Sequence, residues 1–263
     1  MKITIASYNI LHGHYSDLIL KNVKFLIEKG SNVVCLQETD LSFKKSLNTL
    51  LKKESGNWKV RYFHTGIACN LAIIWNDKYL KLKDIKPIYL PTLSKPSITQ
   101  RFLRNKQIFK RGALSACFVI NRKTIRVTNA HIGWEGGIKH RMRQLKYLRE
   151  ALGKEQADHG ILSGDFNTFA PAMFRHFQKR KVERILGKEW VNALPHLKWS
   201  CDISYTTPQD GWEKVIKICR LFRIRVRSLL DYMFIYNMTI VSAEMLDLEG
   251  SDHHPQLGKF EFE

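Results

Sequence analysis

The residues able to do chemistry stand at the ends of apolar runs. Asn9 closes Ile5-Ala6-Ser7-Tyr8, and Glu38 follows Val33-Val34-Cys35-Leu36-Gln37. Asp165 and Asn167 follow Ile161-Leu162-Ser163-Gly164, Asp231 opens Tyr232-Met233-Phe234-Ile235, and Asp252-His253 comes shortly before Pro255. An Asn after a strand often only makes a turn, and a single His is often a surface residue. The set taken together points to chemistry, because carboxylate and amide oxygens are the ligands magnesium takes. A carboxylate beside an imidazole is in turn the common way to orient a proton carrier. If the apolar runs are strands, their ends converge on one rim.

The elements that must build that rim can be read from periodicity and punctuation. Lys2 to Asn9 alternates as a strand, a helix carrying Leu18, Val23, Leu26 and Ile27 stops at Gly30, and Val33 to Leu36 is a short buried strand. Ser42 to Lys53 reads as a second amphipathic helix, and Trp58 to Thr65 with Cys69 to Trp75 as paired strands. Ala113 to Ile120 and Lys123 to Ile132 are rich in β-branched residues and flank a short turn at Asn121-Arg122, the pattern of a hairpin. Lys139 to Leu152 is a helix ending at Gly153, Gly160 to Leu162 a buried strand, and Pro171 a first-turn residue for a helix through Leu186. Leu230 to Tyr236, Thr239 to Leu246 and Leu257 to Phe262 close the chain as strands. No steady βαβ rhythm, GxGxxG or P-loop pattern is present, which disfavours a doubly wound nucleotide-binding fold. Two packed sheets flanked by helices fit better.

The 263 residues suit one domain spanning 1–263, and no apolar run approaches the length of a membrane span. The first residues, Met1-Lys2-Ile3-Thr4-Ile5-Ala6, read as a strand and not as an export signal, so the expected location is cytoplasmic. Cys35, Cys69, Cys117, Cys201 and Cys219 are scattered without metal-binding spacing and read as reduced, mostly core thiols. The formal charge of +19 favours polyanionic partners, either nucleic acid or an acidic membrane surface. No acidic residue occurs from Ile85 to Trp134, where Lys86, Lys95, Arg101, Arg104, Lys106, Lys110, Arg111, Arg122, Lys123 and Arg126 suggest a positive face.

Five ordered segments carry a resemblance that runs the length of the chain. Ser7-Tyr8-Asn9-Ile10, Leu36-Gln37-Glu38-Thr39, Gly164-Asp165-Phe166-Asn167, Leu230-Asp231-Tyr232-Met233-Phe234 and Ser251-Asp252-His253-His254-Pro255 resemble the motifs of the endonuclease/exonuclease/phosphatase superfamily. The resemblance implies a four-layer α/β sandwich, two packed mixed β-sheets flanked by helices, with the site at one edge. It implies Glu38 as the main metal-binding carboxylate, Asn9 contacting metal or phosphate beside it, and Asp252 next to the metal. It further implies Asp165 aligning or deprotonating the attacking water, Asn167 holding phosphate, and His253 as catalytic imidazole with Asp231 as its partner. The expected cofactor is Mg2+, with Mn2+ as a substitute. His254 occupies a variable slot and is expected to be exposed.

His131 resembles an extra histidine of sphingomyelinase-, DNase I- and deadenylase-related members, implying contact with phosphate or help to the leaving group. Arg141 with Gln144, and Arg111 before the strand, match accompanying patterns and are expected to bind substrate; a solvated helix face is the plain alternative for Arg141. Thr39 and Asn129-Ala130-His131-Ile132 depart from the apurinic endonuclease pattern, and no inositol-phosphatase signature is present. Outside the motifs, Trp212 to Leu229 carries Lys214, Lys217, Arg220 and Arg223 at every third position, as one face of a helix would. That segment is expected to bind a polyanion, with a solvated basic helix and a membrane-surface helix as alternatives. The sequence thus predicts a magnesium-dependent phosphodiesterase acting on DNA or RNA, with no obligate protein partner. A phospholipid or small-molecule phosphoesterase working at membranes is the first alternative, and a non-catalytic binding module of the same fold the second.

Overall fold

The computed structural model describes residues 1–65, 70–95, 109–154, 157–169, 175–202, 217, 221 and 226–263. One six-stranded sheet runs β13-β14-β1-β2-β4-β3, from β1 (Lys2–Asn9), β2 (Val33–Gln37), β3 (Trp58–Phe63), β4 (Leu71–Asn76), β13 (Thr239–Met245) and β14 (Gln256–Glu261). The other runs β5-β6-β7-β8-β12-β9, from β5 (Lys81–Tyr89), β6 (Gly112–Ile120), β7 (Lys123–His131), β8 (His159–Asp165), β9 (Trp190–Asn192) and β12 (Asp231–Tyr236). Both sheets are mixed. Each has one parallel pair at its centre, β1 with β2 and β7 with β8, flanked by antiparallel neighbours.

Parallel neighbours need a crossover, and helices supply it: α1 (Ser16–Glu28) joins β1 to β2, and α3 (Gly137–Gly153) joins β7 to β8. With α2 (Leu41–Lys53) and α4 (Arg175–Leu186) they form the outer layers. The inner faces of the sheets bury Ile3, Ile5, Val33, Cys35 and Ile73 against Phe118, Ile125, Val127, Ile161 and Met233. Their outer faces bury Ala6, Tyr8, Val34 and Leu36 under Val23, Leu26, Phe43 and Leu47, and Ala130, Leu162 and Phe234 under Leu145, Leu148, Val182 and Leu186. Central strands covered on both sides lose polar alternation, which is why β2 and β4 read as apolar runs and β8 is buried at every position.

A polar bolt crosses between the sheets near the rim. Asn129 of β7 is fully buried and donates to the carbonyls of Leu36 (2.8 Å) and Ala72 (2.9 Å), while its Oδ1 accepts from Gln37 Nε2 at 2.7 Å. One side chain of the second sheet is thereby fixed to β2 and β4 of the first.

The expected strands and helices are all present where the chain is described; the helix start at Pro171 lies outside the described residues. Asn121 and Arg122 turn the β6–β7 hairpin with φ of 46° and 71°, the left-handed pair favoured in two-residue hairpin loops. Strands β5, β9, β10 (Cys201–Asp202) and β11 (Arg227–Ser228) go beyond the sequence expectation. Edge strand β5 carries Lys81, Lys83, Lys86 and Pro87, the residues that blunt an edge against further pairing and also erase its strand signature. Cys35, Cys117 and Cys201 are buried and not disulfide-bonded; Cys69 and Cys219 lie outside the described residues. No helix among the described residues is long and apolar enough to cross a membrane.

Candidate active site

The carboxyl ends of both parallel pairs open on the same edge of the sandwich, where ligands of α/β sheets usually bind. Asn9 ends β1, Glu38 follows β2, His131 ends β7 and Asp165 ends β8. Asp231 begins β12 in register with Asp165, and Asp252-His253 precedes β14. Backbone strain concentrates here as well: Leu11, His12, Glu38 and Asn167 all adopt positive φ, between 46° and 60°. Such residues cost energy and persist where neighbouring structure over-determines them. At Glu38 the left-handed turn takes the carboxylate off the β2 line, while Thr39 N donates to Asn70 O at 3.0 Å. Gly164 has φ +137°, and a Cβ there would sit on the Ala130 carbonyl oxygen; only glycine lets β8 press against β7 just before Asp165.

Asp165 is at the centre. Its Oδ2 accepts from Asn9 Nδ2 (3.0 Å) and Asn167 Nδ2 (3.1 Å), and its Oδ1 from the Asn167 amide (2.8 Å). Burial pushes its carboxyl up to about 7; His253 opposes the rise, and the carboxylates of Asp231 and Glu38 add to it. Asn9 Nδ2 also reaches Glu38 Oε1 at 3.3 Å, tying the two sheets' carboxylates together. Glu38 Oε2 is buried without a hydrogen bond and faces the His12 ring nitrogen at 3.1 Å.

His253 forms a dyad with Asp231, Nδ1 to Oδ2 at 2.8 Å. Ser200 buttresses it, donating to Asp231 Oδ2 at 2.7 Å and accepting the amides of Leu230 (3.0 Å) and Asp231 (2.9 Å). Burial works against a charged ring, yet Asp231, with Cys201 and Asp252, outweighs it and holds the His253 pKa well above the ordinary histidine value. Its Nε2 lies 4.0 Å from both Asp165 Oδ2 and Asp252 Oδ1.

His131 is the opposite case. Burial, reinforced by the Arg111 guanidinium, holds it well below the ordinary value, so the ring is neutral. Arg111 Nη1 stands 2.7 Å from His131 Nε2; a guanidinium can only donate, so Nε2 is the acceptor and the ring proton is on Nδ1. Nε2 therefore cannot hand a proton to a leaving group in this arrangement. What His131 presents is an oriented guanidinium, which Glu135 holds through two contacts of 3.2 Å. Arg141 is buried beside this pair, donating to Trp134 O at 3.3 Å, and burial lowers its pKa against the pull of Glu135 and Asp165. The solvated-face alternative for Arg141 does not hold.

The rim thus brings together Asn9, Glu38, His131, Asp165, Asn167, Asp231, Asp252 and His253, with Arg111 and Arg141 behind. Oxygen and nitrogen atoms able to hold a cation group as Glu38, His131 and Asp165, and as Asp165, Asp231 and His253. Asp252 groups with Cys201 and His253 instead of with Glu38. Other expectations need correction. Arg111 and Arg126 do not form part of a positive face: both are buried, and Arg126 is neutralised by Asp84 at 3.1 Å. His254 is buried, not exposed, because its amide is bound to Ser200 O at 2.8 Å and Trp199 closes over its ring edge-on. Lys217 is exposed, while Lys214, Arg220 and Arg223 lie outside the described residues. Arg227, from the end of the same basic segment, stacks over Trp199 at 4.0 Å and pairs with Asp202 at 3.0 Å.

Sequence reasoning missed His12, Ser200, Glu135 and the Gln37–Asn129 bolt. Gln37 sits inside the Leu36-Gln37-Glu38 motif, so its neighbour's prominence was the available signal. Ser200 and Glu135 have none, since each acts only through a partner distant in sequence.

The chain is similar in structure to several solved proteins at low sequence identity. A Bacteroides vulgatus endonuclease/exonuclease/phosphatase superposes with a TM-score of 0.74 at 13% identity, covering 100% of both chains. D. rerio TDP2 complexed with a single-strand DNA product gives 0.67 at 17%, covering 99% of each. The human Nocturnin catalytic domain with bound sulfate gives 0.68 at 16%, covering 100% of this chain and 95% of that one. A comparison of the sequence with curated proteins finds no significant match. At the level of whole families, the Endonuclease/Exonuclease/phosphatase family matches residues 6–253. With a match that starts in the first strand of the rim and ends on its last histidine, the chain belongs to the endonuclease/exonuclease/phosphatase family of phosphoester hydrolases.

Proposed function

We propose that the chain hydrolyses phosphodiester bonds of nucleic acid with Mg2+, for which Mn2+ can substitute. The observation that carries the metal requirement is the donor set: the carboxylates of Glu38 and Asp165 crowd together on the rim with His131 beside them. Hard oxygen donors crowded together in this way fit a small divalent cation. Glu38 and Asn9 would hold it, with Asp252 in reach of the same rim. When bound, such an ion offsets charge on the phosphate and makes a water molecule easier to deprotonate.

The chain's own groups divide the remaining work. Asp165, with a carboxyl poised near neutrality and clamped by Asn9 and Asn167, accepts the proton of the attacking water. The water oxygen bonds to phosphorus as the bond to the departing oxygen breaks, and that oxygen keeps the electron pair and takes a proton from solvent. His253, protonated through its Asp231 partner, presents Nε2–H to the charge that develops on the phosphate oxygens. Arg111, oriented by His131 and Glu135, adds a second fixed positive group.

The net charge of +19 supports nucleic acid as substrate, and the structurally similar TDP2 was solved with a DNA product. The test is a turnover screen over single- and double-stranded DNA, RNA, a phospholipid and a generic small phosphodiester, with EDTA or with magnesium. Magnesium-dependent cleavage of a nucleic acid is expected. Full turnover in excess EDTA would overturn the metal assignment, and preference for the phospholipid would overturn the substrate.

A further inference from the structure

We infer that the solvent face of the α3–α4 layer is a non-catalytic binding surface for the polyanionic substrate, guiding a strand away from the rim. This rests on the nucleic-acid reading above and adds a place for the strand to go.

On α3, Lys139, Arg143 and Lys146 are exposed at spacings of four and three residues; on α4, His176, Arg180 and Arg184 are exposed at spacings of four. Lys181 lies 4.3 Å over the ring of the exposed Phe177. The acids of these helices are Glu150 on α3 and Glu183 on α4, and Glu183 is already engaged by Lys179 at 4.0 Å and Asn192 at 3.2 Å. Among the described residues, no ion pair joins Lys139, Arg143, Lys146, Arg180 or Arg184 to a carboxylate.

A solvated helix needs no such pattern. Solubility is served by mixed charges, and a Glu four residues before a Lys stabilises a helix, whereas like charges at that spacing destabilise it. Lys139 with Arg143, and Arg180 with Arg184, are like pairs at that spacing. The fold bears this small cost on the face that contributes nothing to the core, since Leu145, Leu148, Val182 and Leu186 already secure the buried side.

The two rows are also aimed. α3 leaves the rim just after His131, the first turn of α4 is held beside the rim by Gln178 Nε2 donating to Phe169 O at 3.0 Å, and near their far ends Arg149 Nε donates to Leu186 O at 2.9 Å. Both rows therefore start on the rim side and run down the flank, their exposed cations spanning about 10–12 Å along each helix. Cations four residues apart rise by about 6 Å, close to twice the axial rise of about 3.4 Å per phosphate of one helical strand. A bilayer fits less well: the apolar sides of both helices are spent on the core, and the exposed Ile138, Tyr147 and Phe177 stand singly among cations.

The test compares wild type with the variant carrying Lys139→Gln, Arg143→Gln, Arg180→Gln and Arg184→Gln, after matching their thermal melts. In EDTA, binding of a labelled single-stranded oligonucleotide is measured over a salt series. The log–log slope should flatten by about 0.7 per lost contact. With magnesium, KM for a long oligonucleotide should rise several-fold at unchanged kcat, while turnover of a small generic phosphodiester stays the same. An unchanged slope and KM overturn the inference alone. Loss of binding to phosphatidylserine vesicles, with oligonucleotide binding intact, overturns it in favour of a membrane surface. If the wild type cleaves the small phosphodiester but binds no oligonucleotide, the nucleic-acid reading falls and this inference with it.

Discussion

Replacing Asp165 by Asn should make the metal-free protein more stable at alkaline pH while abolishing its activity. The carboxyl is fully buried and raised from 3.8 to about 7, so the folded state holds its proton more tightly than the unfolded chain does. A group shifted this way costs nothing below its unfolded pKa. The cost grows as pH rises from about 4 and is complete above about 7, where three units at 1.36 kcal/mol each amount to about 4 kcal/mol. Asn carries no charge and escapes that cost, but one of its terminal atoms is a donor facing the amides of Asn9 and Asn167, at about 1 kcal/mol per lost hydrogen bond. The hydrogen-bond loss does not depend on pH, so the difference between the two proteins isolates the carboxyl. Urea unfolding in EDTA from pH 4.5 to 8 should show wild-type stability falling relative to Asp165→Asn by a few kcal/mol. Saturating magnesium should raise wild-type stability and remove most of the divergence. Parallel pH–stability curves in EDTA would refute the reasoning, since they would mean that Asp165 is no harder to ionise folded than unfolded.

Other substitutions probe the remaining parts. Glu38→Ala and His253→Ala should each lower turnover by about a hundredfold or more with the fold intact by circular dichroism, as loss of a metal ligand or proton-carrying group does. Ser200→Ala leaves the amides of Leu230 and Asp231 unpaired in a buried site, so a stability loss of about 1–3 kcal/mol in denaturant melts should accompany lower turnover. Arg111→Met strands the buried Glu135 carboxylate and should cost about 3–5 kcal/mol, and adding Glu135→Gln should recover part of the stability but not the activity. Gly164→Ala should fail to give soluble folded protein, because its side chain has no place beside the Ala130 carbonyl.

The central strands were legible in sequence because both of their faces are covered, so burial alone marks them as apolar runs. The groups on the rim were legible for a related reason: a carboxylate or amide directly after such a run has few structural uses. Edge strand β5 was not legible, since its lysines and proline serve to prevent pairing and hide the alternation that detection relies on. Spatial partners left no trace either. Nothing near Arg111 in sequence says that Glu135 will neutralise it, so a stretch without acids looked like a positive face when two of its arginines are buried in ion pairs. His254 looked free for the same reason, because the Trp199 that covers it arrives from a separate ribbon.

Asn129 connects these observations to the enzyme's tolerance of change. Asn9 and Glu38 ride on one sheet, and His131, Asp165 and Asp231 on the other, so the distance between the two halves of the proposed catalytic set is the offset between two packed layers. Greasy surfaces allow sliding, and a displacement of about 1 Å can lower a rate a hundredfold. The side chain that bonds Leu36, Ala72 and Gln37 across the gap converts a slippery contact into a fixed index mark. Helices, loops and edges can then vary without detuning the site, provided this registration is kept together with the Asn9–Asp165 and Gln256–Asp231 bonds that cross the same gap.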